Sequence, residues 1–287
     1  MSSWTVVAPG VHQYRGGPFD LSTVVVEGDD GVLVVDSGGD AVEGAAILAA
    51  VRDRFDRPIL GLVNTHAHFD HTFGNQAFLA AGEDVAIHGH AAVARHFEHY
   101  EGPRLAAWRA DPSREPDRSW ADVQLVAPTH PVDEPVDLDL GGRTVRLLPQ
   151  TPAHSDTDLV LFVHDVRVWI VGDLVEESGP PMYGSGSYPL TWPSVLDALV
   201  AEMRVDDLVV PGHGAVVDRG FVAEQARVLR VIADRLAAAH AQGVPAGSAL
   251  AEHADWPLPV AGLTGAVERA YLALDGHRLD EGGTEDA

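Results

Sequence analysis

Cysteine, lysine and long hydrophobic runs are absent from this chain of 287 residues. Without cysteine there is no disulfide, no thiolate metal ligand and no thiol nucleophile, and the redox compartment stays undetermined. No apolar run approaches the ~20 residues that a membrane-spanning helix requires, so we expect no membrane partner. The first residues show neither the positive charge nor the apolar core of a secretory signal. Together these absences favour a cytoplasmic protein.

Positive charge is scarce, and arginine carries all of it. The chain has 19 basic residues against 43 acidic ones, which gives a formal net charge of −24 at pH 7. Nucleic-acid binding requires clustered cations that neutralise phosphates, so this balance excludes a nucleic-acid partner. We expect a small-molecule substrate, and a pocket for a carboxylate would have to use arginine, a hydroxyl, a backbone N–H or a metal. The sequence gives no indication of the oligomeric state.

The segment Thr65–His71 concentrates residues that bind metals. It places three imidazoles and one carboxylate within six residues, a density that packing does not require. Neutral imidazole and carboxylate suit zinc, iron or manganese. The apolar run Ile59–Val63 before it is typical of a buried strand. The ligands are therefore expected at that strand's carboxyl end, where open α/β sheets place their chemistry. The four residues are His66, His68, Asp70 and His71.

Three more residues of the same types occur later, each just after an apolar run and beside glycine or proline. His154 lies in Thr-Pro-Ala-His, Asp173 follows Val168–Val171, and His213 lies in Pro-Gly-His-Gly. A site at the edge of a sheet would produce this repeated order of strand, tight turn and ligand. The chain thus supplies enough candidate ligands for two metal ions, including a carboxylate suited to bridging them.

In order and spacing, these motifs resemble those of the metallo-β-lactamase-fold hydrolase superfamily. The motifs run from residue 66 to residue 214, and with the flanking strands the resemblance covers roughly residues 4–220. It implies an α/β fold, a four-layer αββα sandwich with the site at one edge of two sheets, followed by C-terminal helices. We expect residues 1–220 to form this domain, residues 221–279 a helical extension, and residues 280–287 a disordered acidic tail.

The resemblance also implies two zinc ions, with iron or manganese as alternatives, and a hydroxide between them that attacks a carbonyl carbon. Asp70 would additionally orient this nucleophile and pass its proton to the leaving group. Asp36, at the end of the apolar run Val32–Val35, would contact ligands or simply form a turn. His66, His68 and His154 would hold one ion, Asp70, His71 and His213 the other, and Asp173 both.

Departures from known branches narrow the implied reaction. The best-known β-lactamases of the superfamily have cysteine where this chain has Asp173, so we expect weak β-lactamase activity at most. The oxygen-reducing di-iron branch has an acidic residue in place of His68, which favours hydrolysis here. The full set is most similar to the glyoxalase II and lactonase branches. We therefore predict hydrolysis of an ester, lactone, thioester or amide, although the absence of lysine from the C-terminal helices disfavours a glutathione thioester.

Some alternatives remain open. A mononuclear Fe(II) enzyme similar to persulfide dioxygenases would use two histidines and one aspartate. Lactonase relatives use a tyrosine near the metals, so Tyr183 and Tyr188 are candidates for substrate binding, or else ordinary loop aromatics. Residues 101–120 are polar and proline-bearing, and we expect a surface insertion or a lid there. The histidines outside the motifs, including His96, are expected to be structural or exposed.

Overall fold

A continuous series of hydrogen-bonded strands runs through the computed structural model, which describes residues 4–80, 85–114, 116, 118–277 and 279. The predicted acidic tail, residues 280–287, lies outside the described residues. The strands are β1 (Trp4–Ala8), β2 (Val11–Gly16), β3 (Leu21–Glu27), β4 (Val32–Val35), β5 (Ile59–Val63), β6 (Ala86–His90), β7 (His130–Val132), β8 (Val136–Asp139), β9 (Thr144–Pro149), β10 (Leu159–Val163), β11 (Val168–Glu176), β12 (Leu208–His213) and β13 (Val217–Asp218).

Helices lie between and after the strands. One turn of π-helix, Phe97–Glu101, joins α4 to α5, and short 3-10 turns occur at Pro112–Arg114, Leu250–Glu252 and Val260–Gly262. The α-helices are α1 (Ala41–Arg54), α2 (Phe69–Thr72), α3 (Asn75–Ala80), α4 (Val93–His96), α5 (Gly102–Ala110), α6 (Trp192–Glu202), α7 (Arg219–Ala241), α8 (Ala246–Ala249) and α9 (Thr264–Leu274).

The strands divide into two halves that meet at β3 and β12. Their order is β7-β6-β5-β4-β3-β12-β11-β10-β9-β8, with β2 and β1 added beside β3 and β13 beside β12. Strands β4 to β7 are mutually parallel, as are β11 and β12, whereas the hairpins are antiparallel. At the junction Leu21 of β3 is paired with His213 of β12. A residue proposed to bind metal therefore stands where the halves join.

Alternating side chains of the inner strands serve two different cores. In β4, Leu33 faces a core shared with Leu161 of β10, while Val34 faces a second core with Ile47 of α1. Successive side chains of a strand point to opposite faces, so these strands are apolar throughout because both faces are covered. The first core lies between the two halves, and the second lies under α1 and α3.

A third core covers the outer face of the second half. Trp169 of β11 packs there with Leu196 of α6, Leu229 of α7 and Val267 of α9. Helices thus flank both halves, which confirms the predicted αββα sandwich with C-terminal helices. The predicted boundary at residue 220 falls inside α7, and these helices share their core with the strands. The division into domain and extension stays a prediction. Among the described residues, no helix has the length and apolarity needed to cross a membrane.

Several local predictions need correction. Strand β2 was not predicted, because its sequence Val-His-Gln-Tyr-Arg-Gly contains no apolar run. Residues 102–110, for which no helix was predicted because glycine and proline begin the segment, form α5. The sequence Thr-Trp-Pro predicts Thr191 as the N-cap of a helix, and α6 does begin after it, but the Thr191 side chain makes no capping hydrogen bond. Its hydroxyl instead donates to the Pro152 carbonyl oxygen at 2.6 Å, so tertiary contact overrides the local preference for a cap.

Candidate metal centre

The structure brings all seven predicted ligands to one edge of the sandwich. His66 and His68 lie on the loop after β5, and α2 carries Asp70 and His71. His154 lies on the loop between β9 and β10. Asp173 lies within β11, which continues to Glu176 rather than ending before the aspartate as predicted, and His213 is the last residue of β12.

Three imidazole nitrogens form one half of the site. The Nδ1 atom of His68 lies 3.0 Å from Nε2 of His66 and 3.0 Å from Nε2 of His154. All three side chains are buried. Nitrogen atoms bound at 2.0–2.1 Å to a tetrahedral zinc ion would be ~3.3 Å apart. The spacing therefore fits three ligands of a single ion.

Backbone carbonyls determine which nitrogen of a histidine faces the site. The Nε2–H of His68 donates to the Ser185 carbonyl oxygen at 2.8 Å, which leaves Nδ1 for the site. His213 is held in the opposite sense, because its Nδ1–H donates to the Phe19 carbonyl oxygen at 2.8 Å and Nε2 faces the site. Metal-binding histidines commonly donate their second N–H in this way.

The second half of the site combines two imidazoles with a carboxylate. The Nε2 atoms of His71 and His213 are 3.3 Å apart. Oδ2 of Asp70 lies 3.3 Å from Nε2 of His213 and 3.8 Å from Nε2 of His71. These three groups lie close enough to one another to share one ion.

Asp173 stands between the two halves. Its Oδ2 lies 3.7 Å from Nε2 of His66 and 3.6 Å from Nε2 of His154. The same carboxylate reaches the second half, with Oδ1 3.1 Å from Nε2 of His71 and Oδ2 3.4 Å from Nε2 of His213. Within the described part of the chain, Oδ1 is buried and has no regular hydrogen-bond partner. The position fits a carboxylate that serves both halves.

Asp36 contacts His71, one of the candidate ligands. Its Oδ2 accepts hydrogen bonds from Nδ1–H of His71 and from the Thr65 hydroxyl, both at 2.8 Å, and its Oδ1 accepts from the Thr65 N–H at 2.8 Å. Asp36 has φ of 62°, a left-handed conformation that costs a non-glycine residue about 1 kcal/mol or more. These three bonds hold Asp36 in that conformation, and the bond from His71 fixes the orientation of the His71 ring.

Comparison with known proteins identifies the family. Residues 16–213 match the model of the metallo-beta-lactamase superfamily. The chain belongs to this superfamily. Among its relatives is the acyl-coenzyme A thioesterase MBLAC2 of Gallus gallus, 30% identical over 210 residues that cover 66% of this chain and 70% of the relative.

Other relatives of this superfamily member are also hydrolases. The linear primary-alkylsulfatase of Pseudomonas sp. (strain ATCC 19151) is 26% identical over 249 residues, which cover 77% of this chain but only 46% of the sulfatase. The chain thus spans less than half of that relative. The type 2 metallo-beta-lactamase of Bacillus sp. (strain 170) is 22% identical over 73% of this chain and 72% of the lactamase.

Solved structures of the superfamily share the fold at lower identity. The stereoselective inverting sec-alkylsulfatase Pisa1 from Pseudomonas sp. aligns with a TM-score of 0.77 at 18% identity over 98% of this chain and 51% of that one. A metallo-beta-lactamase from Pontibacter korlensis aligns with a TM-score of 0.64 at 15% identity over 80% of this chain and 99% of that one. The first alignment includes the C-terminal helices, and the second leaves out about a fifth of the chain.

The two halves of the site differ in charge. Burial lowers the pKa of His66 and His68 and brings that of His154 to about 3, so these rings stay neutral with lone pairs available. Burial also lowers the pKa of His71, but Asp173 and Asp36 outweigh it and hold that pKa well above its ordinary value. Carboxylates thus surround the second half of the site and favour positive charge there.

Phe69, which lies between two of the candidate ligands, forms an aromatic wall beside the site. Its ring lies 5.8 Å from Phe19 and 5.0 Å from Trp108, and Trp108 stacks on Trp120 at 4.2 Å. The Arg104 guanidinium lies 5.9 Å from the Phe69 ring. The described residues between 101 and 120 thus pack against Phe69 through two buried tryptophans, and the role of this segment as a lid or insertion stays a prediction.

The two candidate tyrosines have different surroundings. Tyr183 belongs to the core beneath α6 and packs on Trp192 with ring centroids 5.4 Å apart. Its hydroxyl is buried without a hydrogen-bond partner in the described chain, and burial raises its pKa. Tyr188 is half-buried, and the Arg269 guanidinium lies 5.9 Å from its ring. Substrate binding by either residue stays a prediction.

Two titratable residues near the site, Glu176 and His96, were not identified from the sequence. Glu176 has a ligand-type oxygen within 4.8 Å of those of Asp173 and His213. Burial, with Asp173 adding to it, raises the pKa of Glu176 well above its ordinary value. A register irregularity between β11 and β12 changes the regular alternation of side chains just before Glu176, and nothing in the sequence signals it. The other residue is His96, which is 0% exposed.

Proposed function

We propose that this chain is a dinuclear zinc hydrolase that cleaves an ester, lactone, thioester or amide of a small molecule. The observation that carries the proposal is the placement of Asp173, whose oxygens face three-residue groups on both sides. One shared carboxylate between two ligand groups is an arrangement that suits a pair of ions. The hydrolases among the relatives support the reaction type.

Nitrogen and oxygen donors without any sulfur fit zinc, and also fit iron or manganese. Zinc bound there would lower the pKa of a coordinated water to about 7 and polarise the bond to be cleaved. His66, His68 and His154 would hold one ion, Asp70, His71 and His213 the other, and Asp173 both.

Asp70 is proposed to handle the proton of the reaction. It is the most open of the seven candidates, with a side chain 13% exposed. Burial raises its pKa, but His71 and the hydrogen bond from His213 outweigh burial and hold the pKa at about 2. Asp70 is therefore a carboxylate at neutral pH, able to accept a hydrogen bond from the attacking water and carry a proton to the leaving group.

An apolar group in the substrate would suit the surroundings of the site. Phe69 and Phe19 form an apolar surface beside Asp70, and Phe19 is 40% exposed. Arg104, with a side chain 30% exposed, borders the same wall. We therefore favour acyl esters and thioesters, in keeping with the thioesterase named among the relatives.

A combined metal and substrate assay tests the proposal. Full-length protein would be dialysed against zinc, analysed for metal, and assayed on acyl-CoA thioesters, lactones, aryl esters, alkyl sulfates and a chromogenic β-lactam. We expect about two zinc ions per chain and zinc-dependent cleavage of a carbonyl substrate. One iron per chain with oxygen consumption would support the mononuclear alternative instead, and zinc-dependent cleavage of alkyl sulfate alone would contradict the carbonyl assignment.

A further inference from the structure

We infer that a largely buried network of acidic and basic side chains positions His68 and His154 and so sets the affinity of one of the two proposed zinc ions. The inference rests on the proposed function, because it assigns a role toward ions that the proposed function places there. We call this group the His96 network, and its members are His96, Glu101, Arg104 and Asp156.

The centre of the His96 network is closed to solvent. His96 and Glu101 are both 0% exposed, and Asp156 is 5% exposed. Nδ1 of His96 lies 2.5 Å from Oδ1 of Asp156, and its Nε2 lies 3.7 Å from Oε1 of Glu101. Nε of Arg104 lies 3.1 Å from Oε2 of Glu101. Because buried charges are costly even when paired, their presence points to a role beyond packing.

An unusual helical turn assembles this network. Residues five positions apart on an α-helix differ by about 140° around the axis. His96 and Glu101 are five apart, but the π-helical turn Phe97–Glu101 lies between them. The wider turn carries both side chains to one face of the helix. Such turns occur frequently at functional sites.

The network supports His68 through the segment Gly184–Ser187. The Ser185 carbonyl accepts the Nε2–H of His68 at 2.8 Å, and the Arg104 guanidinium donates to the Ser185 hydroxyl. Gly186 (φ 68°) rests on the network, since a Cβ there would lie 2.9 Å from His96 Cε1 and 2.9 Å from Asp156 Oδ1. The paired side chains thus fix the position of the Gly184–Ser187 backbone, which in turn orients the His68 ring.

The same network also holds the loop that carries His154. Asp156 follows His154 by two residues, so the bond from His96 anchors that loop to the helix across 60 positions of sequence. The second half of the site has separate supports, because Asp36 holds His71 and the Phe19 carbonyl holds His213. The His96 network should therefore affect one ion much more than the other.

Zinc affinities of full-length variants test this inference. In His96→Phe we expect the affinity for one zinc ion to fall by about 10- to 100-fold, the usual effect of losing a group that orients a ligand, with the other affinity nearly unchanged. Competition with a chromophoric chelator would resolve the two affinities. In the cobalt-loaded protein, the paramagnetically shifted Nε2 proton of His68 should exchange faster with water, and a His68→Gln variant assigns its signal.

A matched control separates positioning from general stability. His12 is another buried histidine paired with a carboxylate, with Nε2 2.6 Å from Oε1 of Glu27 and its ring against Phe55. His12→Phe should lower the melting temperature as much as His96→Phe while leaving both zinc affinities unchanged. Ser185→Ala, which removes only the hydroxyl bound by Arg104, gives a gentler second variant with a smaller loss at the same ion.

The possible outcomes separate this inference from the proposed function. A parent protein that does not bind two zinc ions would overturn the proposed function and, with it, the inference. Parent-like affinities in His96→Phe and Ser185→Ala, or equal losses at both ions, would overturn the inference alone. If His96→Phe fails to fold, Ser185→Ala and Arg104→Met decide between the same results.

Discussion

Asp36 and His71 are joined by a hydrogen bond of 2.8 Å between Oδ2 and Nδ1, with both side chains essentially closed to solvent. This bond leaves Nε2 of His71 directed at Asp173, 3.1 Å from its Oδ1. Asp36 does not itself face the proposed ions. It determines the orientation of a ligand that does.

Asp36→Asn should therefore weaken metal binding without emptying the site. The amide would present an NH2 group to one of the three donors that now converge on the carboxylate. We expect a loss of about 10- to 100-fold in zinc affinity or kcat/KM. Asp40→Asn is the control, because Asp40 also accepts backbone N–H bonds, from Glu43 as the cap of α1 and from Ser119. In the described chain it bonds none of the seven candidate ligands, and asparagine caps a helix equally well. If both variants had the same zinc affinity and kcat/KM, the role assigned to Asp36 would be wrong.

Asp70 and Asp173 should respond differently to substitution. Asp173→Ala removes the only side chain that faces both ligand groups among the seven candidates, so both metal content and activity should fall. Asp70→Asn retains one oxygen ligand but loses basicity, so it should keep much of its metal while kcat drops by about 10²- to 10⁴-fold. Elemental analysis alongside steady-state kinetics measures both effects. Parent-like activity in Asp70→Asn would move the proton-handling role to another group.

Gly212 occupies a position where no side chain fits. A Cβ there would overlap Oδ1 of Asp173. Gly212→Ala should displace the carboxylate and lower zinc affinity, even though it adds only a methyl group. Gly247→Ala is the matched control, since a Cβ added at Gly247 would have no neighbouring atom within 4 Å. If Gly212→Ala kept two tightly bound zinc ions, the claim that Asp173 must stay in this position to bind them would be contradicted.

His88 should make stability depend on pH. Burial, with a smaller effect of His130, lowers the pKa of His88 from 6.5 to about 4. The unfolded chain therefore binds a proton between these pH values when the folded chain does not, so stability is lost as pH falls from about 6.5 to about 4. In His88→Gln the melting temperature should decline less steeply over this range. His164→Gln, at an exposed position, should follow the parent; an identical slope in His88→Gln would contradict the assignment.

The motifs made much of the candidate site predictable, because each motif comes after an apolar run of the sequence and these runs lead to one edge of the sandwich. The same local reasoning could not find the contact between His96 and Asp156. It joins a helix to a loop 60 residues away, and only tertiary packing brings the two together. Glu176 was not identified for a similar reason, since a register irregularity between β11 and β12 changes where its side chain lies.

The prediction for Asp173 bears most directly on the account. Crystals of the zinc-loaded protein, measured at the zinc absorption edge, would locate each ion without assumptions about the ligands. We predict two anomalous peaks ~3.5–4 Å apart, with an oxygen of Asp173 ~2.0–2.2 Å from each. A single peak, or two peaks with Asp173 bound to only one, would contradict the bridged dinuclear centre.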